Sequence, residues 1–330
     1  MPAGPLVTAA LIVKDEEAVL PRCLASIRGW CDDILVVDTG STDGTVEAAL
    51  AEGATVLHHD WDGDFARARN HGLDHATGRW ILYIDADEVA DPVEPDLVRR
   101  ELAGTDALAL RVWFHVRPGF TPYREYRLWR NRPDLRFVGR MHESVVGNLR
   151  GVAGAEGLEI RDTELIRVRH DGYEGDQTAK HLRNRPLLEA RLEELPDRVF
   201  LWNHLGHVRS ALGDPEGALL AWQSGVDVVR RSGVVEPSDV LVYGSLGLAL
   251  IDRRVDITDL LIEIDELAPW YRTRVWMRAL HDRARGQLED AIASLHELIA
   301  MRDLPPDPTL AYSEALFTDW AWEALADCLQ

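Results

Sequence analysis

The chain has 330 residues, 46% of them hydrophobic and 28% charged, and 56 Asp and Glu against 36 Lys and Arg leave a formal net charge of −20. That balance argues against a nucleic-acid groove or an anionic membrane surface as partner, and the length predicts two domains rather than one core. Three cysteines (Cys23, Cys31, Cys328) make no disulfide framework at this size, no Cys/His spacing resembles a zinc site, and neither a signal-peptide pattern nor a membrane-span run is visible, so a reducing cytoplasm is expected.

In chain order, residues 6–13 read as a short apolar strand. Residues 16–27 have helical spacing, with Val19, Leu20, Cys23, Leu24 and Ile27 on one side. A second strand over 34–37 closes on Asp38-Thr39-Gly40-Ser41, followed by a helix over 44–52, a third strand over 54–57 and a helix over 65–75. Thr77-Gly78 turns the chain into a fourth strand, the wholly apolar run Trp80-Ile81-Leu82-Tyr83-Ile84. This alternation predicts an α/β domain with a mostly parallel sheet and helices on both faces. Ligands of such sheets bind at the carboxyl ends of the strands, where Lys14-Asp15-Glu16, Asp38 and Asp85-Ala86-Asp87 lie. Further strands are predicted over 107–116, 136–146 and 164–168, with Pro118, Gly119 and Pro122 as breakers. Beyond Thr178 the pattern is helical. Trp202-x-x-Leu205-Gly206, Leu212-Gly213-Asp214 and Ala218-x-x-x-Trp222 match a helix-pair repeat, with weaker echoes at Tyr243-x-x-Leu246-Gly247 and at Arg285-Gly286-Gln287 before Ala291-x-x-x-Leu295. Residues 179–330 are therefore expected to form three degenerate tetratricopeptide-like helix pairs and a final helix, behind a domain of residues 1–178.

The Asp85-Ala86-Asp87-Glu88 step carries the chemistry. Like charges crowded at the mouth of a buried strand repel, and a divalent cation relieves this. Mg2+ or Mn2+ takes one or two carboxylates and fills its shell with water and substrate phosphates, which points to a phosphorylated donor. Residues 111–150 hold nine Arg against Glu125, Asp134 and Glu143, a basic zone suited to an anionic ligand. The aromatics Trp113, Phe114, Phe120, Tyr123, Tyr126 and Trp129 within it suit either a sugar-stacking wall or packing. Asp38-Thr39-Gly40-Ser41 also spells the aspartic-protease loop, but that chemistry needs two carboxylates and the chain holds one copy. No phosphate-loop or dinucleotide glycine motif is present.

Four blocks in order, Ala10-Leu11-Ile12-Val13-Lys14-Asp15-Glu16-Glu17, Val36 through Thr45, Phe65-Ala66-Arg67-Ala68-Arg69-Asn70 and Ile84 through Glu88, resemble family 2 glycosyltransferases of the GT-A fold. The likeness extends to a subgroup with a tetratricopeptide-like tail that includes sublancin-type peptide S-glycosyltransferases, and it covers about residues 5 to 185. The resemblance implies that Asp38 accepts a hydrogen bond from the nucleotide base, with Gly40 and Ser41 in the same loop, and that Val13, Lys14 and Glu16 line base and ribose. It implies that Arg69 and Asn70 close over the nucleotide, that Asp85, next to Ala86, lies near ribose or a metal-bound water and is a candidate metal ligand, and that Asp87 binds the metal. In Gly139-Arg140-Met141-His142-Glu143, Glu143 is expected to take the acceptor proton or to position the acceptor, with His142 beside it. His170, leading Asp171-Gly172-Tyr173, is the candidate further metal ligand, and Lys180 and Arg183 are candidates for reaching the diphosphate. The function expected is inverting transfer from a UDP-sugar, with Mn2+ or Mg2+, to a Ser/Thr hydroxyl or Cys thiol of a peptide or protein. A small-molecule or cell-envelope acceptor is the alternative, and a non-catalytic peptide-binding scaffold the rival from another class. A homodimer is compatible with the sequence.

Overall fold

Continuous apolar runs become buried strands, and the acids that end them become loops. The computed structural model describes residues 4–92, 94–170 and 178–329. It divides into two units, Met1–Pro118 with Pro122–Glu174, and Gly119–Thr121 with Gly175–Gln330.

The first unit runs β1 (Val7–Val13), α1 (Leu20–Ile27), β2 (Asp33–Asp38), α2 (Thr45–Ala51), β3 (Thr55–His58), α3 (Phe65–His75), β4 (Trp80–Tyr83), β5 (Glu88–Pro92), α4 (Pro95–Gly104), β6 (Ala109–His115), β7 (Tyr123–Arg130), α5 (Val146–Glu156) and β8 (Ile160–His170). The strands form one sheet in the order β3-β2-β1-β4-β7-β6-β8-β5. The four strands from β3 to β4 are mutually parallel, as is β8 to β6, whereas β7 runs antiparallel to both its neighbours and β5 antiparallel to β8. Leu11, Leu24, Ile27, Trp80 and Leu82 are fully buried on one side of the sheet, each contributing roughly 1.5–3 kcal/mol. Because β1 lies between β2 and β4, the ends of the first, second and fourth strands become neighbours.

The first helix begins at Leu20 rather than residue 16, because the acidic stretch before it is tied to the loop after β2. The strand expected over 136–146 is a loop, closed by one bridge between Val138 and Ser144, and Gly139 (φ 110°) and His142 (φ 51°) take left-handed conformations that break extension. Its last residue starts α5, which periodicity had not shown. β7 also escaped the sequence reading, because its inward residues include Arg124 and Arg127, which are buried through ion pairs.

The second unit is helical: α6 (Thr178–Glu194), α7 (Val199–Ala211), α8 (Pro215–Ser232), α9 (Leu241–Asp252), α10 (Thr258–Leu267), α11 (Thr273–Ala284), α12 (Leu288–Ala300) and α13 (Asp319–Cys328). The three expected pairs are α7/α8, α9/α10 and α11/α12, with α6 ahead of them. Asp214 caps α8 by accepting the Gly217 N–H at 2.9 Å, next to Pro215. Gly206 lets α7 and α8 approach, since a β-carbon there would overlap the Trp222 indole. Gly206→Ala is therefore expected to cost about 1–3 kcal/mol by overpacking. Thermal unfolding checks this, and an unchanged Tm would mean that the indole yields freely.

Candidate active site

Two loops meet where β1 and β2 end. Thr39 donates both its N–H (3.0 Å) and its hydroxyl (2.9 Å) to the Val13 carbonyl. The Asp15 N–H donates to Ser41 Oγ at 3.0 Å, Thr42 N–H to Asp15 Oδ1 at 2.7 Å, and Glu16 N–H to Thr45 Oγ1 at 2.7 Å. Gly44 N–H donates to Glu17 Oε2 at 2.6 Å. Asp15 (φ 54°) and Gly40 (φ 99°) adopt the left-handed turns that this lacing requires. Val13 is buried, Lys14 exposed and Glu16 half-buried. Asp38 sits at the centre, accepting the Ser41 N–H at 3.0 Å and the Gly40 N–H at 3.4 Å, with His58 Nδ1 at 3.4 Å. Burial pushes its carboxyl up, but the hydrogen bonds from Ser41, His58 and Gly40 outweigh this and hold it below the usual range. It is therefore an ionised acceptor on a rigid frame.

Beyond β4, residues 85–88 form a tight turn. The Glu88 N–H donates to the Asp85 carbonyl at 3.1 Å, and the Asp85 N–H returns to Glu88 Oε2 at 2.9 Å. The turn leads into β5, whose Glu88 is paired in register with His170 of β8. Asp87 thereby meets a residue 83 positions away: His170 Nε2 lies 3.1 Å from Asp87 Oδ2. Burial pulls the His170 imidazole down, and Asp87 together with the charges of Glu88 and Asp85 more than offsets it, so the net shift is upward. Ala86, between Asp85 and Asp87 in sequence, is buried. Residues 171–173, which follow His170, lie outside the described residues.

Asp85 faces another way. Arg69, on α3, donates from Nη2 to Asp85 Oδ1 at 2.8 Å and from Nε to Glu143 Oε1 at 2.5 Å, while its guanidinium stacks over Tyr83 at 4.4 Å. Burial pushes the Asp85 carboxyl up, yet the Arg69 and Arg127 charges and the Arg69 and Tyr83 hydrogen bonds hold it below the usual range. Arg69 is itself only 8% exposed. The neighbouring Asn70 pairs with the Phe137 backbone in both directions, Nδ2 to O and N to Oδ1, each 2.9 Å. Here the two residues that the resemblance assigns to closing over the nucleotide bind protein. One guanidinium joins the Asp85 turn to Glu143, and one amide anchors the loop that carries Glu143.

His142, beside Glu143, is lowered by burial from 6.5 to about 4, so it is neutral at physiological pH. Because the folded value is depressed, the unfolded chain takes up a proton first as pH falls, and stability drops between about pH 6.5 and pH 4. His142→Asn tolerates the left-handed backbone and is expected to flatten that part of the stability–pH curve in urea unfolding. Identical slopes would contradict it.

Lys180 and Arg183 lie exposed on α6, in the second unit. Six of the nine arginines of the basic zone are engaged by the protein's own groups. Arg111 pairs with Asp162, Arg124 with Glu164, Arg127 with Glu88, Arg132 with Asp134 and Glu156, and Arg136 with Asp74, while Arg130 binds the Ala107 carbonyl at 3.1 Å. Among the aromatics, Trp129 is fully buried against Tyr83 and Phe137, Phe114 packs edge-on to Tyr123, and Trp113 lies under Arg124 at 3.8 Å. These are packing contacts rather than a sugar wall. Sequence reasoning gave no role to Glu88, Arg127, Tyr83 or His58, and the one available signal was the acid directly after Asp87.

The donors fit a hard divalent ion. A carboxylate oxygen and an imidazole nitrogen 3.1 Å apart match the ~3 Å between adjacent ligands of an octahedral ion with bonds of about 2.1 Å. A carboxylate–imidazole set also suits Mn2+. Among the described residues no group of three or more His, Cys, Asp or Glu side chains is arranged to hold an ion.

Residues 8–147 match the family described as glycosyl transferase family 2. A TPR repeat-containing protein of Synechococcus elongatus is 35% identical over 307 residues, spanning 89% of this chain and 75% of that protein. The chain belongs to glycosyl transferase family 2. It is a glycosyltransferase with a GT-A domain and a tetratricopeptide-like helical region. The glycosyltransferase SunS of Bacillus phage SPbeta is 29% identical over 210 residues, which are 58% of this chain and 46% of SunS. A solved mannosyltransferase, PcManGT of Pyrobaculum calidifontis in complex with GDP-Man and Mn2+, covers 86% of this chain and 87% of its own at 17% identity and a TM-score of 0.44. No helix among the described residues is long and apolar enough to cross a membrane.

Proposed function

We propose that this family 2 glycosyltransferase moves a sugar from a UDP-sugar to a peptide or protein, with inversion at the anomeric carbon and with Mn2+ or Mg2+. The meeting of Asp87 with His170 at 3.1 Å, at the strand end next to the Asp38 loops, carries this reading. Asp38 accepts from the base, and Val13, Lys14 and Glu16 border base and ribose. Asp87 and His170 hold the ion, which when bound stabilises the charge that grows on the departing diphosphate. Asp85 is held ionised by Arg69 and faces ribose or metal-bound water. Glu143 accepts the acceptor proton through the carboxylate oxygen that Arg69 Nε does not take, and the neutral His142 adds no competing charge. The likeness to SunS supports a peptide acceptor, and a thiol demands less of the base than a hydroxyl.

The test is a panel of UDP-, GDP- and dTDP-sugars, each with Mn2+, Mg2+ or EDTA, read by thermal shift and by nucleoside diphosphate release. Stabilisation by UDP-sugars in the presence of metal, with slow UDP release, is expected. Equal release in EDTA, or stabilisation by another nucleotide alone, defeats the metal or the donor assignment respectively. A peptide library with Ser, Thr and Cys then reads the acceptor, and total absence of transfer favours a small-molecule or cell-envelope acceptor.

A further inference from the structure

Beneath the Asp85–Glu88 turn lies an ion pair that the reaction itself does not require. Arg127 grips Glu88 with both prongs, Nη1 to Oε2 and Nη2 to Oε1, each 2.8 Å. The side chains are 3% and 2% exposed. The guanidinium also lies between two rings, 4.6 Å from Tyr83 and 4.5 Å from Phe114, and reaches Glu125 Oε2 at 2.6 Å. Its Nε is buried without a hydrogen-bond partner. A buried ion pair adds little net stability over apolar side chains of like volume, and an orphaned N–H is a cost. Stability alone therefore does not account for the arrangement.

What the pair controls is local geometry. The Glu88 oxygen that Arg127 Nη1 grips is the one that accepts the Asp85 N–H. The Glu88 backbone closes the turn on the Asp85 carbonyl and is the register partner of His170. One clamped carboxylate thus sets the turn that presents Asp87 and the strand pairing that presents His170. We propose that Arg127 and Glu88 are positioning residues, which hold Asp87 and His170 in the spacing that binds the divalent ion with the nucleoside diphosphate. This rests on the metal reading proposed above.

The experiment is titration of Mn2+, in saturating UDP, into wild type, Arg127→Lys and the double variant Glu88→Leu/Arg127→Met, by calorimetry and Mn2+ paramagnetic resonance. Thermal unfolding of each without metal runs alongside. Lys keeps the charge but loses the fork, and the double variant removes the pair without stranding a buried charge. The double variant is expected to keep its metal-free Tm yet bind Mn2+ roughly 10–100-fold more weakly, the usual effect of losing a group that orients metal ligands. Arg127→Lys should fall between. Wild-type Mn2+ affinity in the double variant overturns the proposal, as does weakening matched by an equal loss of metal-free stability. Should the double variant not fold, Arg127→Lys makes the same comparison. If wild type itself binds no Mn2+ in UDP, the metal reading fails and this inference with it, an outcome visible before any variant is made.

Discussion

Asp87→Ala is expected to lower donor turnover by roughly 10²–10³-fold, the scale of removing one preorganised charge partner from a developing anion, while leaving the protein folded. Asp87 sits in a turn with its side chain 27% exposed, and the partner that the structure gives it is His170. Its removal opens no core cavity and strands no fully buried charge, so the Tm should move little. Nucleoside diphosphate release from the donor at saturating Mn2+ measures the effect. Asp87→Asn, which keeps the shape and loses the charge, should resemble Ala. Full turnover by either variant would remove Asp87 from the metal role, and a matching collapse of Tm would recast it as structural.

Arg69→Met is expected to produce the largest stability loss in the first unit. Met fills the stem volume but removes the one guanidinium that faces Asp85 at 2.8 Å and Glu143 at 2.5 Å. Two carboxylates then share a site without that counter-charge, and breaking a buried pair in this way costs about 3–5 kcal/mol. Stacking on Tyr83 at 4.4 Å and Phe137 at 5.5 Å is lost as well. At 2–4 °C per kcal/mol for domains of this size, the Tm should fall by roughly 10 °C. Arg69→Lys should recover part of this, since it restores charge without the fork. Adding Glu143→Gln to Arg69→Met should also recover part, since it removes one of the two stranded charges. A drop of only a degree or so by circular dichroism would show that water already neutralises the pair. The contrast between these variants separates a residue that contacts ligand from one that holds the site together. The resemblance placed Arg69 in the first group, and its burial and partners place it in the second.

Local periodicity made much of the fold legible. The apolar runs that became β1, β2 and β4, and the helix pairs around Gly206–Trp222 and Leu246-Gly247, follow from unbroken apolar character, helical spacing and turn chemistry. These act over a few residues and need no partner to be read. The four sequence blocks, three at strand ends and one on α3, were visible for the same reason, and they led to the family. β7 and the loop over 136–146 were misread because their patterns depend on distant partners. Arg124 and Arg127 read as surface charges until Glu164 and Glu88 are brought against them, and Phe137 reads as part of a strand until Asn70 takes its backbone groups.

The same division runs through the site. Composition and spacing determined that acids stand at the ends of three strands, because a buried strand must end in groups that water or a ligand can solvate. Only the tertiary structure decided what each charge does. The β5–β8 register brings His170 to Asp87, Arg69 turns inward to join Asp85 to Glu143, and Arg111, Arg124, Arg127, Arg132 and Arg136 are each set against an acid. An ionic group takes its role from the nearest opposite charge and from its distance to solvent. Both are set by contacts between residues tens of positions apart, which no local pattern encodes.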